Sequence, residues 1–203
     1  MATDNPTSDV PFPLGLGYTP YLLTAADLAE FPHDLPSGPV RFELDDGVLI
    51  TMPPPGFEHG QVENIIAAEL RYQGSHRGYG SATGEVGVVL RRNPDRVVGP
   101  DATFISSKRS PVTLTPEGYL QTIPDLVVEV VSKNDTRQYL ERKTRDYLQA
   151  GVNIVWLVDP AKRTLVEHRS GQEPRTFDVS ATVELPDLIP GFQLRLADVF
   201  EPA

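Results

Sequence analysis

The sequence predicts an α/β or α+β fold in which a central mixed β-sheet is flanked by helices. Residues 126–131 and 153–159 are nearly continuous apolar runs, which is typical of strands buried on both faces. Residues 136–150 lie between them, carry apolar side chains at helical spacing, and end at Gly151, a common helix stop. This strand–helix–strand order predicts a right-handed crossover between parallel strands.

The N-terminal part of the chain predicts a helix followed by a hairpin. Thr24 with Asp27 three residues later forms a variant of the capping box that starts helices. Residues 40–50, VRFELDDGVLI, contain two short apolar runs around an Asp-Gly pair, which is a strong signal for a β-hairpin.

The middle of the chain predicts a longer helix and two strands. Residues 57–72 have apolar side chains at helical spacing, and His59 lies on the same stripe near the start of this helix. Residues 81–92 predict one strand, and residues 97–106 predict a second strand that begins near Asp101.

The C-terminal part completes the sheet. Residues 164–169 predict the second strand of a hairpin, and residues 184–200 predict an edge element and a packed end.

At 203 residues the chain is long enough to bury a sizeable core. We therefore expect a flexible N-terminal segment over residues 1–19 and a single domain over residues 20–203.

The composition excludes several kinds of chemical site and indicates where the protein is located. The chain has no cysteine, which excludes disulfides, zinc–thiolate sites and a thiol nucleophile. Neither an apolar run long enough to span a bilayer nor a secretory signal peptide is evident, so a cytoplasmic location is expected.

The charge distribution is uneven. A net charge of −10 argues against a surface that coats long stretches of nucleic acid. Residues 71–145, however, hold 12 of the 18 basic residues and 8 of the 28 acidic residues. A locally basic face on an acidic body is consistent with these counts, and so is ordinary solvated charge.

The most informative feature is a lysine on a helix face that should be apolar. Lys143 shares a stripe with Leu140 and Tyr147, so it is predicted to point toward the protein interior. Glu129 is the one carboxylate within the buried run PDLVVEVVS that precedes this helix. Buried charges of this kind are costly unless they are paired, hydrated or bound to metal.

These residues suggest a metal site with a nearby cation. Asp101 begins a strand predicted to neighbour that of Glu129, and two converging carboxylates suit Mg²⁺ or Mn²⁺. A Lewis acid, a positioned water and a cation near the developing charge are what phosphodiester hydrolysis requires. The alternative is a structural ion pair between Glu129 and Lys143 that joins strand to helix.

Several blocks together resemble a known family. FELDDGVLITMPPPGFEH, PDATFI, PDLVVEVVS and ERKTRDYLQAGVNIVWLVDP occur in the order typical of the Uma-type restriction endonucleases, which belong to the restriction-endonuclease-like PD-(D/E)XK superfamily. The resemblance covers roughly residues 20–200 and includes the closing IPGFQLRLADVF. It implies a restriction-endonuclease-like core and a metal-dependent nuclease.

The resemblance also implies roles for individual residues. Asp101 and Glu129 would bind the metal, with the main-chain carbonyl of Val130 as a third ligand. The usual lysine of the superfamily lies two residues after the second acid, where this chain has Val131. In related branches the lysine moves to the following helix, and Lys143 is placed to be that substitute.

Two auxiliary residues are added, Glu43 from the resemblance and His59 from its position near a helix start. Glu43 matches an acidic position of the first hairpin and would add a carboxylate to the metal site; the alternative is a surface acid on an edge strand. His59 would contact a water or a phosphate near a helix N-terminus; the alternative is a histidine that packs against the sheet.

Three functions remain in competition. The leading hypothesis is a cytoplasmic, Mg²⁺-dependent DNA endonuclease in which Mn²⁺ can substitute. The resemblance implies a homodimer, since many enzymes of the superfamily act as dimers. The second is a catalytically idle module of the same fold that binds protein or nucleic acid. The third is hydrolysis of a small phosphate ester, which would need a closed pocket.

Overall fold

A computed structural model describes residues 21–32, 34–36 and 38–201. The predicted flexible segment at residues 1–19 lies outside the described residues. Within the described ranges, no helix combines the length and the apolar character needed to cross a membrane. The single domain predicted for residues 20–203 stays a prediction.

Four α-helices occur among the described residues. The second helix continues through a π-helical turn at Leu70–Gly74 and a 3-10 turn at Ser75–Arg77. The helices are α1 (Ala25–Ala29), α2 (Phe57–Glu69), α3 (Arg137–Ala150) and α4 (Leu196–Phe200).

Strands account for most of the remaining regular structure. They are β1 (Asp34–Leu35), β2 (Gly38–Pro39), β3 (Arg41–Asp45), β4 (Val48–Met52), β5 (Gly80–Gly84), β6 (Val88–Arg91), β7 (Arg96–Val98), β8 (Ala102–Ser106), β9 (Leu126–Val130), β10 (Ile154–Asp159), β11 (Thr164–Arg169), β12 (Arg175–Asp178), β13 (Thr182–Glu184) and β14 (Gln193–Arg195).

The largest sheet has six strands in the order β12-β11-β10-β9-β8-β5. β9 and β10 are parallel and are joined through α3, whereas the other neighbouring pairs are antiparallel. This mixed sheet with flanking helices confirms the predicted fold class. Both β9 and β8 are buried along their whole length, as expected for central strands.

A second sheet of four strands, in the order β4-β3-β7-β6, stands beside the first. Its β3–β4 hairpin turns at Asp46 and Gly47, which have φ values of 54° and 78°. Two successive positive φ values are what a two-residue hairpin turn requires, and they explain the Asp-Gly pair. The hairpin predicted for residues 40–50 is therefore confirmed, and it carries Glu43.

Two predicted strands are wrong in their extent. Residues 81–92 contain β5 and β6, and residues 97–106 contain β7 and β8, with the members of each pair in different sheets. The chain leaves one sheet for the other at Glu85–Gly87 and again at Gly99–Asp101. Asp101 consequently lies in the crossing segment, immediately before β8.

The largest apolar cluster packs α2 and the C-terminal elements against one face of the main sheet. Trp156, Phe104 and Phe192 are among its largest fully buried side chains. A second cluster on the other face contains Tyr147 of α3 and Val127 of β9. Because α3 packs there, its buried face is directed at the strand that carries Glu129.

Candidate active site

Lys143 is buried on α3 and is bound to two glutamates. It is 3% exposed, and its Nζ donates to Glu43 Oε1 at 3.1 Å and to Glu129 Oε2 at 3.0 Å. These partners come from β3 and β9, which belong to different sheets. The prediction that Lys143 points inward is confirmed.

The local sequence fixes this orientation. Thr136 caps α3, with its side chain accepting a hydrogen bond from the backbone N–H of Tyr139, so the helix begins at a defined residue. Residues at spacings of three and four then share one face, and the buried side chains of α3 are Lys143, Thr144 and Tyr147. The amine is thereby carried to the strand that holds Glu129.

The electrostatics of this cluster are strongly coupled. Burial, opposed by the charge of Lys143 and assisted by the charges of Asp101 and Glu43, raises the pKa of Glu129 to about 7. Burial alone would lower the pKa of Lys143, but Glu129 and Glu43 raise it above its usual value. Lys143 therefore stays protonated and serves as a fixed positive charge.

Tyr147 completes the surroundings of Glu129. Its hydroxyl donates a hydrogen bond to Glu129 Oε1 from one turn along α3. Burial raises the pKa of Tyr147 well above its ordinary value, so the phenol remains a neutral donor. Lys143 and Tyr147 together hold the carboxylate of Glu129 in one orientation.

Asp101 is held by groups from two other elements. Its Oδ2 accepts a hydrogen bond from the backbone N–H of Val130 at 2.6 Å, and its Oδ1 lies 3.1 Å from His59 Nε2. The first contact joins Asp101 to the residue next to Glu129. The structure thus brings Asp101 and His59 into direct contact, and the role of the Val130 carbonyl as a metal ligand stays a prediction.

His59 also belongs to a group with metal-ligand spacing. One ligand atom each from His59, Glu63 and Asp101 lies within 4.8 Å of the other two. Burial and the nearby charge of Asp101 raise the pKa of Glu63 to about 7. For His59, burial acts to lower the pKa, but the hydrogen bond to Asp101 and its charge give a net rise.

A cavity of about 240 Å³ opens onto these groups. Five carboxylates line it, against two permanently cationic side chains, Arg41 and Lys143. The acidic lining residues are Glu43, Glu85, Asp101, Glu129 and Asp135. Such a negative lining repels a phosphate unless cations neutralise part of it.

The ligand types in this cavity fit a hard divalent cation. Carboxylate oxygens at Asp101 and Glu129, with one imidazole at His59, are ligands for Mg²⁺ or Mn²⁺ and not for metals that require sulfur. The surplus of carboxylates also favours a cation electrostatically. The described groups whose ligand atoms converge within 4.8 Å of one another are His59, Glu63 and Asp101, so the metal-binding role of Glu129 stays a prediction.

Both auxiliary residues lie at this site. Glu43 is 3% exposed, accepts from the backbone N–H of Gly99 at 3.0 Å and binds Lys143, so it is not a surface acid. His59 bonds Asp101 instead of only packing against the sheet. Every residue named from the sequence as catalytic or auxiliary lines the same cavity.

Two residues of the site, Glu63 and Tyr147, were not predicted from the sequence. Glu63 lies four positions after His59 on α2, and that spacing places both on one helix face, which was a usable signal. Tyr147 was assigned to the buried stripe of α3, but its hydrogen bond to Glu129 depends on long-range packing that no local pattern reveals.

Other candidate residues have structural roles. Asp125, which follows Pro124, accepts hydrogen bonds from Ser106, Arg109 and Asn153, and it joins loops at the opposite end of β9 from Glu129. Trp156 is fully buried in the core.

Comparison with known proteins supports a nuclease relationship. The family described as "Uma2: Putative restriction endonuclease" matches residues 28–197. A solved structure from Anabaena variabilis ATCC 29413, described as a "putative nuclease belonging to DUF820", has a TM-score of 0.71 and 21% identity, and the match covers 89% of this chain and 98% of that one. At this identity the similarity establishes a shared fold.

A weaker structural match and one negative result complete the comparison. The cryo-electron microscopy structure of a DrdV–DNA complex has a TM-score of 0.35 and 18% identity, with coverage of 71% of this chain and 94% of that chain. No curated protein matches the sequence.

Proposed function

The chain belongs to the Uma2 family of restriction-endonuclease-like proteins, and from this premise we propose that it is a metal-dependent DNA endonuclease. The observation that carries the proposal is the meeting of Asp101, Glu129 and Lys143 at one cavity, although they lie far apart in the sequence. A carboxylate pair with a buried, permanently charged amine is suited to phosphodiester hydrolysis.

Asp101 and Glu129, with the carbonyl of Val130, would hold the divalent cation. When bound, such an ion supplies Lewis-acid polarisation of the phosphate and lowers the pKa of a coordinated water. The preference for Mg²⁺, with Mn²⁺ as a substitute, is part of the proposal. His59 and Glu63 supply further ligand atoms beside Asp101.

Lys143 acts as a fixed charge that does not move protons. Its raised pKa keeps it cationic, and the two hydrogen bonds to Glu43 and Glu129 limit where its amine can lie. A cation so placed orients the attacking water or stabilises the charge that develops on the pentacovalent phosphate. Glu43 and Tyr147 are positioning residues, since they act through Lys143 and Glu129.

The proposed reaction is hydrolysis with a simple balance of bonds. A water oxygen forms a bond to phosphorus, and the bond between phosphorus and the 3′ oxygen breaks. The attacking water gives up one proton to solvent and the leaving oxygen takes one from solvent, which yields a 3′-hydroxyl, while the attacking oxygen remains on a 5′-phosphate. The negatively lined cavity requires that the substrate phosphate arrive together with cations.

A catalytically idle binding module is the second candidate. It is favoured by Val131, which occupies the position of the usual lysine, and by the saturated ion cluster of Lys143 with Glu43 and Glu129. Such a cluster would also stabilise a fold with no activity. The two candidates differ in whether DNA is cut.

We expect the purified protein to convert supercoiled plasmid to nicked and linear forms with Mg²⁺ or Mn²⁺, and not with EDTA. End-labelling before and after phosphatase treatment should show 5′-phosphate and 3′-hydroxyl ends. The activity must co-purify with the folded protein through a final sizing column. If the protein binds DNA but does not cleave it in either metal, even when protein is in excess over DNA, the idle module is established instead.

A further inference from the structure

Tyr139 lies in the first turn of α3, four residues before Lys143, and lines the cavity of the candidate active site. We propose that Tyr139 is a further catalytic residue, whose hydroxyl donates a hydrogen bond to a non-bridging oxygen of the phosphate that is cut. This inference rests on the proposed endonuclease function, because it assigns a substrate contact at the same site.

α3 carries two tyrosines, one on each side of Lys143. Tyr139, Lys143 and Tyr147 are spaced four residues apart, so they lie along one face of the helix. Tyr147 is fully buried and donates its hydroxyl to Glu129, whereas Tyr139 is only partly buried and lines the cavity. Of these two phenols, Tyr139 is therefore the one that a substrate in the cavity can contact.

The hydroxyl of Tyr139 has room for a better partner. Within the described part of the chain its hydrogen bond is to Glu43 Oε2, with 3.5 Å between the two oxygens. Hydrogen bonds between two oxygens are normally about 2.5–3.0 Å long, so this one is weak. Because buried tyrosine hydroxyls usually bind a partner, the group is free to donate to a ligand that enters the cavity.

Glu43 connects this hydroxyl to the buried amine. Lys143 Nζ donates to Glu43 Oε1, and the Tyr139 hydroxyl faces Oε2 of the same carboxylate. The ring of Tyr139 also lies beside the amine, with Nζ 5.9 Å from the ring centroid. A phosphate that approaches Lys143 from the cavity therefore also approaches the hydroxyl, whose proton turns toward it by rotation about the C–O bond.

A neutral donor suits the charges of this cavity. Five carboxylates line it, and its two permanent cations are already engaged, Arg41 by Glu85 and Lys143 by two glutamates. A carboxylate holds a neutral donor less strongly than it holds a cation, so the hydroxyl is the easier group for a phosphate to recruit. Fixed donors of this kind act most strongly on the charge that develops in the transition state.

Tyr139→Phe tests the contact, because it removes one oxygen and keeps the ring beside Lys143. We expect kcat for DNA cleavage in Mg²⁺ to fall by about 100-fold, the scale of losing one donor to a transition state. Tyr79→Phe is the matched control, since Tyr79 is also partly buried, accepts a long hydrogen bond of 3.4 Å from Arg77 and lies outside the cavity lining. It should cleave DNA like wild type, and both variants should keep the Tm of wild type.

Phosphorothioate substrates separate a direct contact from a positioning role. Sulfur, a weak acceptor, replaces one or the other non-bridging oxygen at the mapped cut. We expect the loss caused by Tyr139→Phe to shrink at least about fivefold for one stereoisomer and to stay near its full size for the other. An equal loss with both stereoisomers would show that Tyr139 acts only through Glu43 and Lys143, and would overturn the contact.

A binding assay makes the test independent of cleavage. A fluorescently labelled duplex that contains the cut site, or a mixed sequence if no cut is found, is titrated with protein in Ca²⁺ while its anisotropy is measured. We expect Tyr139→Phe to raise Kd about fivefold, as for the loss of one neutral hydrogen bond, and Tyr79→Phe to leave it unchanged.

The outcomes separate this inference from the proposed function. If wild type cuts DNA, and Tyr139→Phe cuts and binds like Tyr79→Phe, the contact is overturned and the endonuclease is intact. If no DNA is cut in Mg²⁺ or Mn²⁺, the endonuclease fails and the titration decides alone. A Kd that rises in Tyr139→Phe but not in Tyr79→Phe then supports the phosphate contact, and equal Kd values, or no binding, overturn it.

Discussion

Asp101→Asn is expected to lower kcat/KM for DNA cleavage in Mg²⁺ by about 1,000-fold or more, the scale of losing a main electrostatic element of an active site. The change removes the negative charge but keeps the shape of the side chain. Its amide oxygen can still accept the hydrogen bond that Val130 donates to Asp101. The protein should therefore stay folded, as checked by circular dichroism and by its Tm.

Asp125→Asn is the matched control for this prediction. Asp125 also follows a proline and is also buried, but its partners are Ser106, Arg109 and Asn153. We expect this variant to lose about 2 kcal/mol of unfolding free energy, as for hydrogen bonds to a charged group, with little change in kcat/KM. A similar loss of cleavage in both variants, each shown to be folded, would refute a special role for Asp101.

Lys143→Met is the second large effect, and it should reduce both activity and stability. Removing the amine leaves Glu43 and Glu129 buried without their shared cation. We expect kcat/KM to fall by roughly 1,000-fold and the free energy of unfolding to fall by about 3 kcal/mol, as measured by urea denaturation in EDTA. EDTA prevents a metal ion from replacing the lost charge.

The stability loss should depend on pH in a definite direction. Burial already raises the pKa of Glu129 to about 7, and without Lys143 it should rise further. A carboxyl group whose pKa is higher in the folded state than in the unfolded state favours folding at low pH and loses that contribution as pH rises. The difference between Lys143→Met and wild type should therefore shrink from pH 8 to pH 5.

Two further variants show what the amine contributes. Lys162→Met is the control, because Lys162 is 77% exposed and its removal should change the unfolding free energy by no more than about 0.5 kcal/mol. Lys143→Arg keeps the charge but has a larger planar head, so it should recover part of the stability and less of the activity. A fully active Lys143→Met would show that the lysine is only structural.

Periodicity predicted the central part of the site. The 3.6-residue spacing of α3 directed Lys143 inward, and the apolar run around Glu129 predicted its burial. Both conclusions depend only on neighbours along the chain. Asp101 was added from the expectation that its strand neighbours that of Glu129, and the resemblance to the Uma-type family supplied Glu43, which no local pattern connects to Lys143.

The errors in the fold arose where the chain changes sheets. Residues 81–92 and 97–106 each looked like one strand because apolar residues stand on both sides of the crossing. The crossing segments at Glu85–Gly87 and Gly99–Asp101 are only three residues long, and each contains one glycine and one carboxylate. Whether such a segment continues a strand or transfers it to a second sheet is decided by tertiary packing, which propensity does not encode.

The position of the metal ion tests the central claim most directly. In a crystal of the protein soaked with Mn²⁺, anomalous scattering should locate one ion bound by Asp101 and Glu129 and by the carbonyl of Val130, with Lys143 nearby. An ion held by His59 and Glu63 without Glu129, or a fully soaked crystal with no ion in this cavity, would contradict the account.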